Sequence, residues 1–387
     1  MMARRVVTRI VAGLAALPLL FAGQMAHAEE SAAKAKGGNV ELRRMIGQMV
    51  LVGFVGNKLD DQGFKTVMAQ ASEGKISGVL YLSRNIRSLR AVKGLNERLQ
   101  SVSPTPLLIA VDQEGGRIER LTKAVGFRES PSAASVAHTM SPDDAKAEYG
   151  NMAAGLAGCG FNLNLGPVVD LNTNPDNPII GRLGRSYAAD DGAVSAYARA
   201  FVQGHRAHGV LTSLKHFPGH GSSVADTHKG MADVSETWSE QELAPYRNLI
   251  GSGDAELIMS AHVINRNIPG AENTPASMSP ATLVGLLRKE LGFKGVVITD
   301  DLQMGAIIKT RSFEDTVRQA VIAGNDLLVF ANDKHPDPLI PEKIADLLER
   351  EAKENPAILA RIKQSYGRIM RLKSGLAPTV ATPAQPD

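Results

Sequence analysis

Eight short apolar runs, with helix-like stretches between them, predict an α/β fold: a TIM-type (β/α)8 barrel built as a single domain. The runs are continuous in Val, Ile and Leu rather than alternating, as expected of strands buried on both faces of a parallel sheet. No long linker, repeat or low-complexity break divides residues 39–375, so one domain is expected there. A nine-strand open sheet gives a similar alternation and stays open on the count alone.

The runs follow one another as Met45–Gly53, Gly78–Asn85, Pro106–Asp112, Phe161–Asp170, Gly209–His216, Leu257–His262, Gly295–Asp300 and Asp326–Asn332. Helices are predicted over Asp143–Gly158, Ala188–His208, Ser279–Leu291 and Ser312–Ala323. Ser279 followed by Pro280 is a favourable helix start, because proline lacks only an N–H that the first turn leaves unpaired anyway. Gly155, Gly158 and Gly160 superficially resemble a nucleotide loop, but they follow no strand and read as a helix end. Catalytic centres of such barrels lie at the C-terminal ends of the strands. Here those ends carry Arg84-Asn85, Asp112, Asp170, Lys215-His216, His262, Asp300-Asp301 and Asn332. Such a density of Asp, Lys and His marks that end for chemistry.

The termini differ from this body. Residues 1–28 read as a secretory signal: Arg4, Arg5 and Arg9 lead, Ile10 to Phe21 is apolar, and Ala26-His27-Ala28 offers a small-x-small cleavage site. The apolar run is short for a membrane span of about 20 residues. Residues 29–38 read as a flexible leader, and 376–387 as a disordered Pro/Ala-rich tail. The formal charge of +3 belongs to the signal. Without residues 1–28, 40 basic groups face 40 acidic ones in the remaining 359 residues. The exported protein is thus expected to be near neutral, with no basic patch for nucleic acid and no membrane association after cleavage. Cys159 is the only cysteine, which excludes an intrachain disulfide and a Cys-based zinc site.

Four segments carry chemistry. Lys215-His216-Phe217-Pro218-Gly219-His220-Gly221 ends a strand in a sharp loop, and Asp226-Thr227-His228 follows. Lys215 and His216 are neighbours, so their side chains diverge unless the backbone turns there. Asp226 can hydrogen-bond the His228 imidazole, fixing its tautomer for proton transfer near neutral pH. A solvated polar loop is the plain alternative. In Gly295–Asp301 the two terminal carboxylates point to opposite sides. One can face the barrel mouth as a nucleophile while the other takes a structural partner. Asp112, with Gly115-Gly116 behind it, can accept sugar hydroxyls. Arg185, in the stretch Asn177–Tyr187, offers a fork of donors beside the mouth.

Together these segments resemble glycoside hydrolase family 3, in its NagZ-type β-N-acetylglucosaminidase branch. The matches are VDQEGGRIERL, NLGPVVDLN, GRSY, SLKHFPGHG, ADTH, MSAHV and VITDDLQM, in the family's order. They span roughly Gly47 to Asn332. The resemblance implies a catalytic barrel over 39–375 with Asp300 as nucleophile and His228 as loop-borne acid/base, held by Asp226. It implies terminal-sugar binding by Asp112, Arg185, Lys215 and His216, with Met259 and His262 at the adjacent strand end. It implies a small carbohydrate substrate carrying a terminal N-acetylglucosamine, and no cofactor or metal. One departure stands out: the loop reads GHG-Ser222-Ser223 where the common pattern has GHG-Asp-Thr.

The expected activity is exo-acting, retaining β-N-acetylhexosaminidase action on peptidoglycan fragments or related oligosaccharides, in the periplasm or outside the cell. Aromatic residues number only 17, which favours a pocket for one terminal sugar over a long cleft. Four alternatives stay open. His216, His220, His228, His262 and Asp300 could form the site of a metal-dependent barrel hydrolase. A neutral imidazole base would also tolerate phosphate as acceptor, as in a phosphorylase, and a β-glucosidase is the other family option. A catalytically silent sugar-binding protein is the fourth.

Overall fold

The computed structural model describes residues 39–376, so the signal 1–28, the leader 29–38 and the tail beyond Leu376 lie outside the described residues. The chain divides into a short leading unit, Met1–Arg43, and a main unit, Arg44–Asp387. All strands belong to the second. No helix among the described residues is long and apolar enough to cross a membrane.

Each of the eight apolar runs contains a strand. They are β1 (Val50–Gly53), β2 (Gly78–Tyr81), β3 (Leu108–Val111), β4 (Leu163–Asn164), β5 (Leu211–Phe217), β7 (Leu257–Ser260), β9 (Val296–Thr299) and β10 (Leu328–Phe330). Nearly every strand residue is buried, which explains the unbroken apolar composition. All pair in parallel in the order β10-β1-β2-β3-β4-β5-β7-β9. A parallel bridge from Ile298 to Leu327 brings β9 to β10 and completes the barrel. Leu327 N–H donates to Val297 C=O (3.0 Å), and Thr299 N–H to Leu327 C=O (3.0 Å). The open nine-strand alternative is thereby excluded.

The fourth run is the least regular. Pro167 donates nothing to the ladder, so β4 is only two residues long. Contact with β5 continues beyond it, with Ser213 N–H donating to Gly166 C=O (2.8 Å), Lys215 N–H to Pro167 C=O (3.1 Å) and Val169 N–H to Lys215 C=O (2.7 Å). Two further strands, β6 (Ala232–Asp233) and β8 (Val263–Ile264), form a small parallel pair beyond the barrel rim. Their core holds Ala232, Val234, Ala261, Val263 and Ala276, with Trp238 and Ala225 packed against it.

The predicted helices lie close to their expected bounds, at Pro142–Gly158, Asp191–Arg206, Ala281–Glu290 and Phe313–Ala323. Caps explain the trimming. Asp190 Oδ1 accepts the Ala193 N–H (2.7 Å), which starts that helix at Asp191 rather than Ala188. Ser279 Oγ accepts the Thr282 N–H (3.2 Å). Gly155 and Gly158 close the helix Pro142–Gly158, and Gly160 turns the chain at φ +84°.

The N-terminal end of the barrel is sealed by buried polar groups. Asp326, just before β10, receives Arg288 Nη2 (2.6 Å), Arg361 Nη2 (2.7 Å), Arg368 Nη1 (3.0 Å), Ser365 Oγ (2.9 Å) and the Val297 N–H (3.0 Å). Lys373, near the end of the helix Pro356–Lys373, donates to Gln48 Oε1 (2.7 Å) and Ser77 C=O (2.7 Å), which precede β1 and β2.

Candidate active site

A cavity of about 250 Å³ opens at the C-terminal ends of the strands. Its wall includes Asp112, Glu114, Arg120, Arg185, Lys215, His216, His228, Met259, Asp300 and Asp301. Among the described residues, no Phe, Tyr or Trp lines it.

One side of the wall is an ionic cradle. Lys215 Nζ bridges Asp112 Oδ1 (3.0 Å) and Glu114 Oε1 (2.6 Å). Arg185 forks onto Glu114 with Nε and Nη2, both at 2.8 Å, and Nη1 reaches Ile179 C=O (2.8 Å). Arg120 Nη2 holds the other oxygen of Asp112 (3.2 Å). Burial by itself would raise both carboxyls; the Arg185 and Lys215 cations hold Glu114 far below its usual range, and Lys215 and Arg120 lower Asp112. The reverse balance raises Lys215, since the Glu114 and Asp112 charges outweigh burial. Both acids are therefore ionised, fixed acceptors for hydroxyl groups. Glu114 was not singled out in the sequence. Its signal was an acid two residues past the strand end, just before Gly115-Gly116, and only packing shows it joining Arg185 to Lys215.

Lys215 and His216 both reach the cavity because the register of β5 against β7 shifts between Leu214 and Phe217. The backbone turn that adjacent side chains needed is present. Behind His216, Asp170 is 1 % exposed. Its Oδ2 accepts the His216 Nδ1–H (2.7 Å), and its Oδ1 accepts the backbone N–H of His216 (3.1 Å) and of His220 (2.8 Å). Asp170 thus supports the site without lining it. Asp170 thereby fixes the His216 ring through Nδ1.

The opposite side carries Asp300, at the end of β9. The one hydrogen bond its side chain accepts among the described residues is the Asp301 N–H at Oδ1 (2.8 Å). Burial would raise its pKa, but the imidazoles of His216, His262 and His228 and the Asp301 N–H bring it down to about 2. Asp300 is thus an anion with room for a substrate. Asp301 binds the backbone N–H groups of Gln303 (3.1 Å) and Ala331 (3.0 Å), with burial pushing it up to about 6. Both carboxylates line the cavity, but Asp301 is committed to two backbone donors, whereas Asp300 accepts one hydrogen bond among the described residues.

His262 departs from expectation. It lies behind the cavity rather than in its wall, with Nε2–H donating to Asp301 C=O (3.0 Å) and Nδ1 accepting from Ser277 Oγ (2.8 Å). Burial lowers its pKa. It holds the turn after Asp300, with both ring nitrogens engaged by the protein. Met259 does line the cavity.

His228 arrives from a loop. Its Nδ1–H and its backbone N–H both donate to Asp226 Oδ1 (2.9 Å each). The side chain is 58 % exposed, while Asp226 is 17 % exposed. Burial would raise Asp226, but the two His228 donors lower it. The loop is tied to the segment after Asp300, since Ala306 N–H donates to Thr227 C=O (3.1 Å) and Lys309 Nζ to Lys229 C=O (2.7 Å). An anionic carboxylate and an oriented imidazole therefore share one cavity, on separate elements that brace each other.

The metal alternative finds no converging donor set. Both nitrogens of His262 are engaged, and His216 and His228 each commit one to a carboxylate. Among the described residues no group of three or more His, Cys, Asp or Glu is arranged to hold a metal ion.

The match to known proteins covers this whole region. Residues 41–372 fit the model of the glycosyl hydrolase family 3 N-terminal domain. A β-hexosaminidase of Xylella fastidiosa is 35% identical over 298 residues, 75% of this chain and 84% of that protein. The β-N-acetylhexosaminidase structure from Beutenbergia cavernae aligns with a TM-score of 0.78 and 28% identity, over 86% of this chain and 98% of that one. A family 3 β-N-acetylglucosaminidase from a Paenibacillus species aligns with a TM-score of 0.80 and 31% identity, over 89% of this chain and 64% of that one.

Proposed function

This chain belongs to glycosyl hydrolase family 3, and from that premise we propose that it is an exo-acting, retaining β-N-acetylhexosaminidase releasing terminal β-linked N-acetylglucosamine. The observation that carries this reading is the placement of Asp300 and the Asp226–His228 pair on one small cavity.

The chemistry follows from the charges. Asp300, ionised above about pH 2, attacks the anomeric carbon, and a glycosyl ester forms as the glycosidic C–O bond breaks. Protonated His228 gives its proton to the leaving oxygen, while Asp226 stabilises the imidazolium and keeps its orientation. The neutral imidazole then takes a proton from water, whose oxygen attacks the same carbon and frees Asp300. Two inversions retain the β configuration. The fixed acceptors Asp112 and Glu114, with Arg185, Lys215 and His216, bind the hydroxyls of one sugar. The absence of Phe, Tyr and Trp from the cavity wall among the described residues favours one terminal residue over a stacked chain.

The substrate we propose is a peptidoglycan fragment or a related oligosaccharide met after export, with the signal 1–28 removed. Hydrolysis of a chromogenic β-N-acetylglucosaminide, abolished in Asp300→Ala, tests the activity; a silent variant-like wild type would overturn it. Comparing muropeptides with chitooligosaccharides ranks the substrates. Product analysis in phosphate buffer tests the acceptor, because a sugar 1-phosphate instead of free sugar would convert the assignment to a phosphorylase. The intact mass of the exported protein, starting at Glu29 or at Met1, tests the cleavage.

A further inference from the structure

The loop between β5 and β6 is gripped where it leaves the barrel by one short segment. Trp238 Nε1–H donates to Pro218 C=O (3.0 Å), Thr237 Oγ1–H to Ser222 Oγ (3.3 Å), and the Gly221 N–H to Glu242 Oε2 (3.2 Å). Glu242 is 1 % exposed, and its carboxyl fills the space under the turn. A Cβ on Gly219, where φ is +122°, would sit 2.4 Å from Oε2. Gly221 is equally confined, since a Cβ there would lie 1.7 Å from Leu171 C=O. Farther along, Val224 stands 72 % exposed before the loop is caught again at Thr227 by Ala306. Asn177 Nδ2 also donates to the His220 and Gly221 carbonyls (2.8 and 3.1 Å) and Asn174 Nδ2 to Ser223 C=O (2.9 Å), so this segment is one of several anchors that set the direction of Asp226 and His228.

We propose that Thr237–Glu242 is the seat of the acid/base loop and that Glu242 is a positioning residue for His228. It acts through the backbone of Gly219–Ser222 and touches no substrate. The charged and titratable groups around it are Asp170 beyond β4, Tyr246 on the next helix, and His216 and His220, both bonded to Asp170. Burial, and then the Asp170 charge, push Glu242 up to about 8, so at neutral pH it is an uncharged acid that can sit beside Asp170 without repulsion. Among the described residues its Oε1, like the Tyr246 hydroxyl, has no hydrogen-bond partner, as suits a neutral buried group better than an anion.

This inference rests on His228 as the acid/base, and the test separates the two ideas. The readout is kcat/KM for a substrate with a sugar leaving group against one with a 2,4-dinitrophenyl leaving group, which needs no proton. Misplacing the proton donor should cost Glu242→Ala about 10-fold more on the sugar leaving group than on the dinitrophenyl one. Glu242→Gln, neutral and of the same shape, should stay within about 3-fold of wild type on both. Equal losses on both substrates, or a Glu242→Gln as impaired as Glu242→Ala with an unchanged melting temperature, would overturn the proposal. If Glu242→Ala does not fold, Trp238→Phe releases the Pro218 anchor and should show the same selective loss, smaller in size; its absence counts against the seat. His228→Ala is the control: without a leaving-group-selective loss there, the acid/base reading itself fails.

Discussion

The two ends of the barrel bury similar groups to opposite purposes. At the closed end, Asp326 is fully buried and receives five donors, three of them from arginines. At the mouth, Asp112 and Glu114 hold Arg120, Arg185 and Lys215 in a comparable network, yet both acids also face a cavity. Asp300 goes further and accepts only one hydrogen bond among the described residues. The difference is not charge or burial but saturation. A saturated cluster can only hold the fold, whereas one with open acceptor sites can bind and react.

The sharpest way to break this contrast is at the mouth. Asp300→Asn should lower kcat by about 10³-fold or more, with the melting temperature nearly unchanged. A comparable loss of stability would mean that Asp300 is a structural carboxylate like Asp326. Asp326→Ala should do the reverse, costing about 3–5 kcal/mol in chemical denaturation because three arginines lose their shared anion. Activity per folded molecule should survive.

Glu114→Gln lies between the two. It weakens the grip on Arg185 and Lys215, worth roughly 1.5–3 kcal/mol for hydrogen bonds to charge, so kcat/KM should fall by about 10- to 100-fold. Per unit of pH, the smallest effect is expected at the floor. Burial lowers Lys373 to about 7 from its ordinary 10.5. Between these values the unfolded chain binds more protons than the fold, so stability should rise with pH from 7 to 10.5, by up to about 1.4 kcal/mol per unit. Lys373→Met should flatten that slope in denaturation curves measured across the window; an unchanged slope would show that another group sets it.

Much of the fold was legible because its signal is local. Strands buried on both faces must be continuously apolar, and every such run became a strand. The Asp226–His228 hydrogen bond was legible for a related reason: its two residues lie two positions apart in one short segment. Residues that act across the fold were not. Glu114 meets Arg185 71 positions later, Asp170 meets His216 46 positions later, and Lys373 meets Gln48 across 325. Trp238 looked like packing, and its N–H on Pro218 is visible only in three dimensions.

The sequence by itself determined that eight apolar runs make a parallel barrel and that acids, lysine and histidines gather at one end of its strands. Hydrophobic burial and chain direction are enough for that, because they act along the chain. The tertiary structure decided which of those groups remain open. His262, at a strand end like Asp300, turned its nitrogens inward to Ser277 and the Asp301 carbonyl, while Asp300 kept a face to the cavity. Whether a buried polar group is spent on the protein or left for a ligand depends on partners brought from distant strands, and the barrel supplies those only when it closes.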